Sequence, residues 1–292
     1  MKESHWQYRI FVDRIYSVLT ISLALIALIP FFFLIWELFK NGLKQFNLDL
    51  FTQISPTPLD ALLAQIGGEV IPGGILNGIL GGLLILSIAL ILAVPIGIFS
   101  GFYLYETRNK FALLIQSCVF LMRGLPSLLI GIISYIWIVR SVHNFSALAG
   151  GVALAIIMLP IIIQSTLETL KVLPVNLKEN GLALGGSYWS VMSKIIFPSA
   201  RGGLWSGIIY AIGQVIGETA PLMVTALGAL MINWDIFQPT TSISLLIYFF
   251  LNSPNMIDLV WATSLVLFLI VVILNITARY IYRKWKKRMA YE

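Results

Sequence analysis

With 292 residues, 59% of them apolar and only 11% charged, and a mean hydropathy of +0.92, the chain cannot be a water-solvated globule; several segments must be solvated by lipid. One cysteine, Cys118, excludes an internal disulfide framework or a thiolate metal cluster. The net charge of +6 does not point to nucleic acid: 15 of the 19 Lys and Arg fall on one side of a membrane, against Lys40, Lys44 and Arg140 on the other, with Arg123 inside a span.

That bias places both termini in the cytoplasm, with residues 1–15 as a cytoplasmic N-terminus, 16–282 as a six-span domain and 283–292 as a basic tail. The first span, 16–39, is long and lacks a small-residue cleavage site, so it reads as a retained helix. An external loop at 40–73 is punctuated by Pro56, Pro58, Gly67, Gly68 and Pro72 and carries one short surface helix at 59–66. The second span, 74–104, is glycine-rich and built for close helix packing, with a kink expected at Pro95. The third, 111–139, contains RGLPS at 123–127, with Arg123 about 18 Å from the cytoplasmic end. Three roles are open to Arg123: snorkelling, counter-ion for Glu218, or part of an anion path.

His5 and His143 lie outside the spans with no companion at ligand spacing, so no metal site is expected. The fourth span, 147–164, leads into a cytoplasmic loop at 166–201, the fifth covers 203–227 and the last 257–282. Between the last two, residues 228–256 hold no Lys or Arg and read as an external re-entrant or surface segment with an apolar run at 243–251.

The 166–201 loop divides at Gly185-Gly186 into two amphipathic pieces, 175–184 and 187–197, whose apolar faces need a groove on a soluble partner. On the fifth span Ser206, Tyr210, Gln214 and Glu218 recur every fourth residue and share one helix face, followed by Thr219. An ionised Glu218 in hydrocarbon costs about 2.5–3.5 kcal/mol unless paired or wet, which makes it a functional candidate. Pro221 should loosen the helix just beyond it.

Glu179, Gly185, Ile195 and Pro198 stand at the spacing of the cytoplasmic-loop motif of ABC importer permeases, from which Asn180, Gly181 and Phe197 depart. The runs IGETAPLM at 216–223, NLDLF at 47–51 and GLPS at 124–127, with LN..AR at 274–279, resemble the A-type permeases of phosphate-specific (Pst) ABC importers. The resemblance implies an all-α integral membrane protein of the bacterial inner membrane, with the six-helix type I permease fold, no cofactor and no enzymatic activity of its own. Its partners would be a C-type permease, a cytoplasmic ATPase dimer and an external phosphate-binding protein. Glu179 and Gly185, with Ile195 and Pro198, would engage the ATPase. Arg123, Ser206, Gln214, Glu218 and Thr219 would form the path or gate for inorganic phosphate, with Pro221 as the helix break.

Family members commonly carry an arginine where this chain has Gln214, so either Arg123 or a residue of the partner permease supplies the cation, or the passage is less selective for a dianion. No GxxxxGK[ST] phosphate loop occurs, so ATP is hydrolysed elsewhere. The rival readings are the same permease with another oxyanion or polar solute as cargo, and a membrane-embedded enzyme, for which HExxH, GxSxG and a buried histidine are all missing.

Overall fold

The first helix, α1 (Lys2–Gly42), buries almost nothing along its described side chains: Ile15, Leu19, Leu25, Phe32 and Trp36 are all exposed. A helix apolar on every side is stable only in lipid or against another chain. A computed structural model describes residues 2–174 and 176–291, with side chains from 9 to 287, so Lys2, His5 and Arg288 lie outside the described side chains. Where α1 ends, Gly42 lets it touch the last helix; a Cβ there would lie 2.8 Å from Leu265 Cβ.

The short helix expected in the 40–73 loop is α2 (Pro58–Gly67), one residue longer at each end than its sequence signals indicate. Thr57 and Asp60 form a reciprocal capping box, Pro58 occupies the first turn, and Gly68 closes the helix in the left-handed region at φ +69°.

The centre of the bundle is the pair α3 (Leu76–Glu106) and α6 (Ala147–Val172). Added Cβ atoms would lie 2.6 Å from Ile162 at Gly97, 2.5 Å from Thr166 at Gly101 and 2.5 Å from Ile88 at Gly151, so the two backbones meet across small residues. Ile85, Ala89, Ala93, Leu154, Met158 and Ile162 fill this core, joined by Ala211 and Val215 from α8 (Tyr188–Val215). The chain passes through Pro95 within one continuous helix.

Four expectations require correction. The third span is two helices, α4 (Lys110–Gly124) and α5 (Ser127–Val142), meeting at 108°. Pro126 lacks a donor and holds Leu125 extended at φ −75°, ψ 131°, which no helix can cross. The fourth span does not end near 164; α6 runs two further turns to Val172, where Leu173 before Pro174 turns extended. The second cytoplasmic piece and the fifth span are the single helix α8, because Pro198 is absorbed by a π turn at Met192–Ile196, in which Phe197 N–H reaches Met192 O. Finally, α8 stops at Val215 and not near 227.

Beyond it lie a short turn, α9 (Ala220–Met223), then α10 (Ile243–Leu251) and the last helix, α11 (Ile257–Tyr291). The apolar run expected at the external surface is α10, and its Ile243, Leu245, Leu246 and Phe250 are buried with α3 and α11. Among the described residues five helices are long and apolar enough to cross a membrane, and the bent pair α4–α5 makes six if it counts as one span.

Candidate functional site

The polar hairpin between α6 and α8 is built by glycines. α7 (Asn176–Ala183) closes with Gly186 N–H donating to Gly181 O at 3.2 Å and Gly185 N–H to Leu182 O at 3.0 Å, the Schellman pattern, with Gly185 at φ +82°. Ser187 then caps α8 by accepting from Ser190 N–H. The chain reverses so tightly that Gly181 lies beneath Val191 and Ile195, where a Cβ would stand 2.9 Å from Ile195 Cδ1. This explains the glycine that departs from the family motif.

Glu179, Leu184 and Gly185 are all exposed, Leu184 at 88%, and the exposed Trp189 lines a cavity with Phe99, Phe102 and Tyr103 of α3. Ile195 packs beneath the hairpin against Gly181, and Pro198 sits on the surface of α8 just past the π turn. The space around Gly185 is open, so a substitution there meets only torsional strain. Gly185→Val is expected to destabilise the hairpin by about 1–3 kcal/mol, and Gly185→Asn, which tolerates the left-handed region, by much less. Rates of tryptic cleavage at Lys178 and Lys194 check the order.

Among the described residues one ionic contact ties this hairpin to the bundle. Lys178 Nζ donates to Glu106 Oε2 at the end of α3, and the ammonium stands 5.4 Å from the centre of the Tyr188 ring. The hydrogen bond to Glu106 holds Lys178 above the usual lysine range, against the opposing effect of partial burial, so it is charged at any physiological pH. Glu106 Oε1 is buried without a partner among the described residues, which leaves the carboxylate dependent on Lys178. Reading the sequence missed this pair; its one signal is that Glu106 is the sole acid in the basic 105–112 turn.

The second region is the break after α8. Pro221 has no N–H for Gly217 O, and its ring would strike that carbonyl in a continuous helix, so Ile216–Thr219 leave helical register. The break therefore begins before Glu218, not beyond it, and the expected polar stripe divides. Ser206 is buried, Tyr210 and Gln214 are exposed on the last turns of α8, and Glu218 and Thr219 stand half-buried in the break.

The break is clamped from α10. Ser244 Oγ donates to Glu218 O at 2.9 Å, Thr219 Oγ1 donates to Ser244 O at 3.4 Å, and Ser242 Oγ lies 2.9 Å from Ser244 Oγ. Pro221 is braced from α5, with Gly131 so close that a Cβ would stand 2.6 Å from Pro221 Cα. Ser244 was not singled out in the sequence; the hydroxyl-rich opening of the apolar run, TTSIS at 240–244, is the feature that marks it.

Arg123 ends α4 at the 108° bend, and its Nη2 stands 3.5 Å from Pro160 O, halfway along α6. The ion pairs among the described residues are Glu37–Lys40 and Glu106–Lys178, so Arg123 and Glu218 are not counter-ions. The bend aims Arg123 at α6, whereas Glu218 is held by α10. Arg123 instead opens onto a cavity of about 440 Å³ that also contains Gln116, Ser117 and Gln164.

Five to six candidate membrane spans with a polar helical hairpin between two of them are the architecture of a transport permease subunit. The chain belongs to the family of binding-protein-dependent transport system inner membrane components, whose model matches residues 93–290. It is 32% identical to the phosphate transport system permease protein PstA of Haemophilus influenzae, over 95% of this chain and 98% of that one. The PstA of Pasteurella multocida is 34% identical over 98% and 100% of the two chains, and the probable PstA of Methanocaldococcus jannaschii 31% over 94% and 95%. A chain of the methionine ABC transporter MetNI, solved in inward-facing conformations, superposes with a TM-score of 0.53 at 16% identity, covering 78% of this chain and 99% of that one. The fold is that of an ABC transporter permease.

Proposed function

We propose that this chain is the A-type permease of an ATP-driven importer that carries inorganic phosphate across the inner membrane into the cytoplasm. Both termini and the 176–187 hairpin face the cytoplasm. A C-type permease completes the membrane core, an external phosphate-binding protein delivers the ion, and a separate ATPase dimer receives the hairpin at Glu179 and Gly185, with Ile195 and Pro198 supporting it. The observation that carries the anion reading is Arg123, a cation level with the middle of α6, in a cavity that sets Gln116, Ser117 and Gln164 beside Leu113, Val119, Phe120 and Leu121, and without a carboxylate partner among the described residues. Such a residue in a membrane faces a wet path or a partner charge.

In this reading Arg123 supplies the positive charge that Gln214 lacks. Glu218 repels phosphate and therefore acts as a gate at the break in α8, with Gln214 and Thr219 on either side of it and Ser206 behind. Closure of the ATPase dimer pushes the hairpin, and the rigid helix α8 transmits that push to the break.

Replacing Arg123 by Gln is expected to lower kcat/KM for phosphate uptake by at least about 30-fold, the loss of one charge-assisted contact of 2 kcal/mol or more. Arg123→Lys should retain a measurable share. Wild-type uptake by Arg123→Gln would remove Arg123 from the path.

A further inference from the structure

Where α8 and α11 meet beside the hairpin, a cavity of about 670 Å³ is lined by Lys194, Arg201 and Lys284, with Ser199, Tyr280 and Trp285. Lys194 and Arg201 lie two turns apart on one face of α8, and Tyr280 and Lys284 one turn apart on α11. The floor is rigid. Gly202 admits the Trp285 ring so closely that a Cβ would stand 2.7 Å from it, and Trp285 Nε1–H donates to Ser199 O at 2.6 Å.

No carboxylate pairs with any of the three cations among the described residues. A positive-inside bias asks for basic residues near the ends of spans, but places no demand that three of them converge on one cavity. From the mouth of this cavity, Tyr280, Ile276 and Ile273 continue along one side of α11, all more than 60% exposed, and Trp205 stands exposed one turn beyond Arg201. A charged chamber at the membrane boundary thus opens onto an apolar track running into the bilayer.

We infer that this chamber binds a phosphate oxyanion through Lys194, Arg201 and Lys284. Two sources carry that chemistry: the phosphodiester headgroup of an anionic phospholipid, whose acyl chain would lie along Tyr280, Ile276 and Ile273, or free inorganic phosphate. Basic pockets between membrane helices at the interface recognise the former. Guanidinium and ammonium donors serve either one. The site is separate from the path around Arg123 and does not rest on which solute the transporter carries.

The test uses the assembled transporter in two arms. In the first, native mass spectrometry in detergent compares retention of dioleoyl-phosphatidylglycerol with that of the zwitterionic phosphatidylcholine. In the second, equilibrium dialysis of phosphatidylcholine nanodiscs measures binding of radiolabelled orthophosphate. Each arm compares wild type with Lys194→Gln/Arg201→Gln/Lys284→Gln and with the tail control Lys286→Gln/Lys287→Gln.

The triple variant should bind phosphatidylglycerol about 100-fold more weakly, while the control matches wild type. Orthophosphate binding lost in the triple variant, with no preference for phosphatidylglycerol, assigns the site to the free ion. Lys194→Arg/Lys284→Arg, which keeps the charge, should bind as wild type does and so separates loss of the site from loss of the fold. Wild type that takes up neither probe above its level in the triple variant overturns the inference.

Discussion

Lys178→Glu is expected to abolish transport while the assembled complex still hydrolyses ATP, and adding Glu106→Lys is expected to restore at least half of it. The single change sets two carboxylates against each other at the one ionic contact between the hairpin and α3. Removing a partner from a fully buried pair costs about 3–5 kcal/mol. Here the two side chains are 31% and 18% exposed, so solvent reduces the penalty to about 1–3 kcal/mol. That is enough to free α7 from α3 without unfolding a bundle whose core lies elsewhere. The exchanged pair restores attraction in the opposite sense. Recovery in the double variant therefore reads the pairing itself and not either residue alone. Transport in Lys178→Glu equal to wild type, or a double variant no better than the single, would show that the Glu106–Lys178 pair plays no part in transport.

Gly81→Val is expected to cost about 3 kcal/mol or more and to take transport with it, whereas the neighbouring Gly82→Ala is expected to be tolerated. A Cβ on Gly81 would lie 2.3 Å from Thr241 O and 2.4 Å from Thr240 Oγ1, so the obstacle is backbone that cannot rotate away. At Gly82 the nearest atom is 3.6 Å distant, ordinary contact, and alanine gains helix propensity of about 1 kcal/mol. The 240–242 segment that Gly81 supports leads directly into Ser242 and Ser244, which clamp the break around Glu218. Displacing it should loosen the break around Glu218, the gate in the proposed function, as well as the bundle. Denaturation of the purified complex in SDS, followed by helix content, measures the stability difference; phosphate uptake at equal complex concentration measures the gate. Equal stability of Gly81→Val and Gly82→Ala would mean that the 240–242 segment moves freely over α3.

The chain announces most of its helices because lipid demands long apolar runs, and the five helices among the described residues that are long and apolar enough to cross can be read directly. The capping box at Thr57 and Asp60 and the Gly185-Gly186 reversal are equally local, since each depends only on residues within one turn. Breaks are harder to place. Pro126 and Pro221 are visible in the sequence, yet whether a proline kinks, ends or passes through a helix depends on what packs beside it. Pro95 and Pro160 stay inside continuous helices, Pro198 is accommodated by a π turn, and Pro221 is met by Gly131 of α5.

Partnerships between distant segments were the least legible. Nothing in the spacing of Glu106 and Lys178, 72 residues apart, links them, and helix rotation decides that Arg123 meets Pro160 and not Glu218. Ser244 clamps the break because α10 is buried in the bundle, a fact of tertiary packing that an apolar run of nine residues does not reveal.

The central claim is that the assembled chain moves phosphate at the expense of ATP. It is tested most directly by uptake of radiolabelled phosphate into proteoliposomes that hold this chain with its partner permease and ATPase, supplied with the binding protein. Phosphate should accumulate only with ATP and binding protein together, and accumulation should fail in the Lys178→Glu complex. An intact complex that accumulates no phosphate, while another solute stimulates its ATPase, would contradict the account and leave the permease with a different cargo.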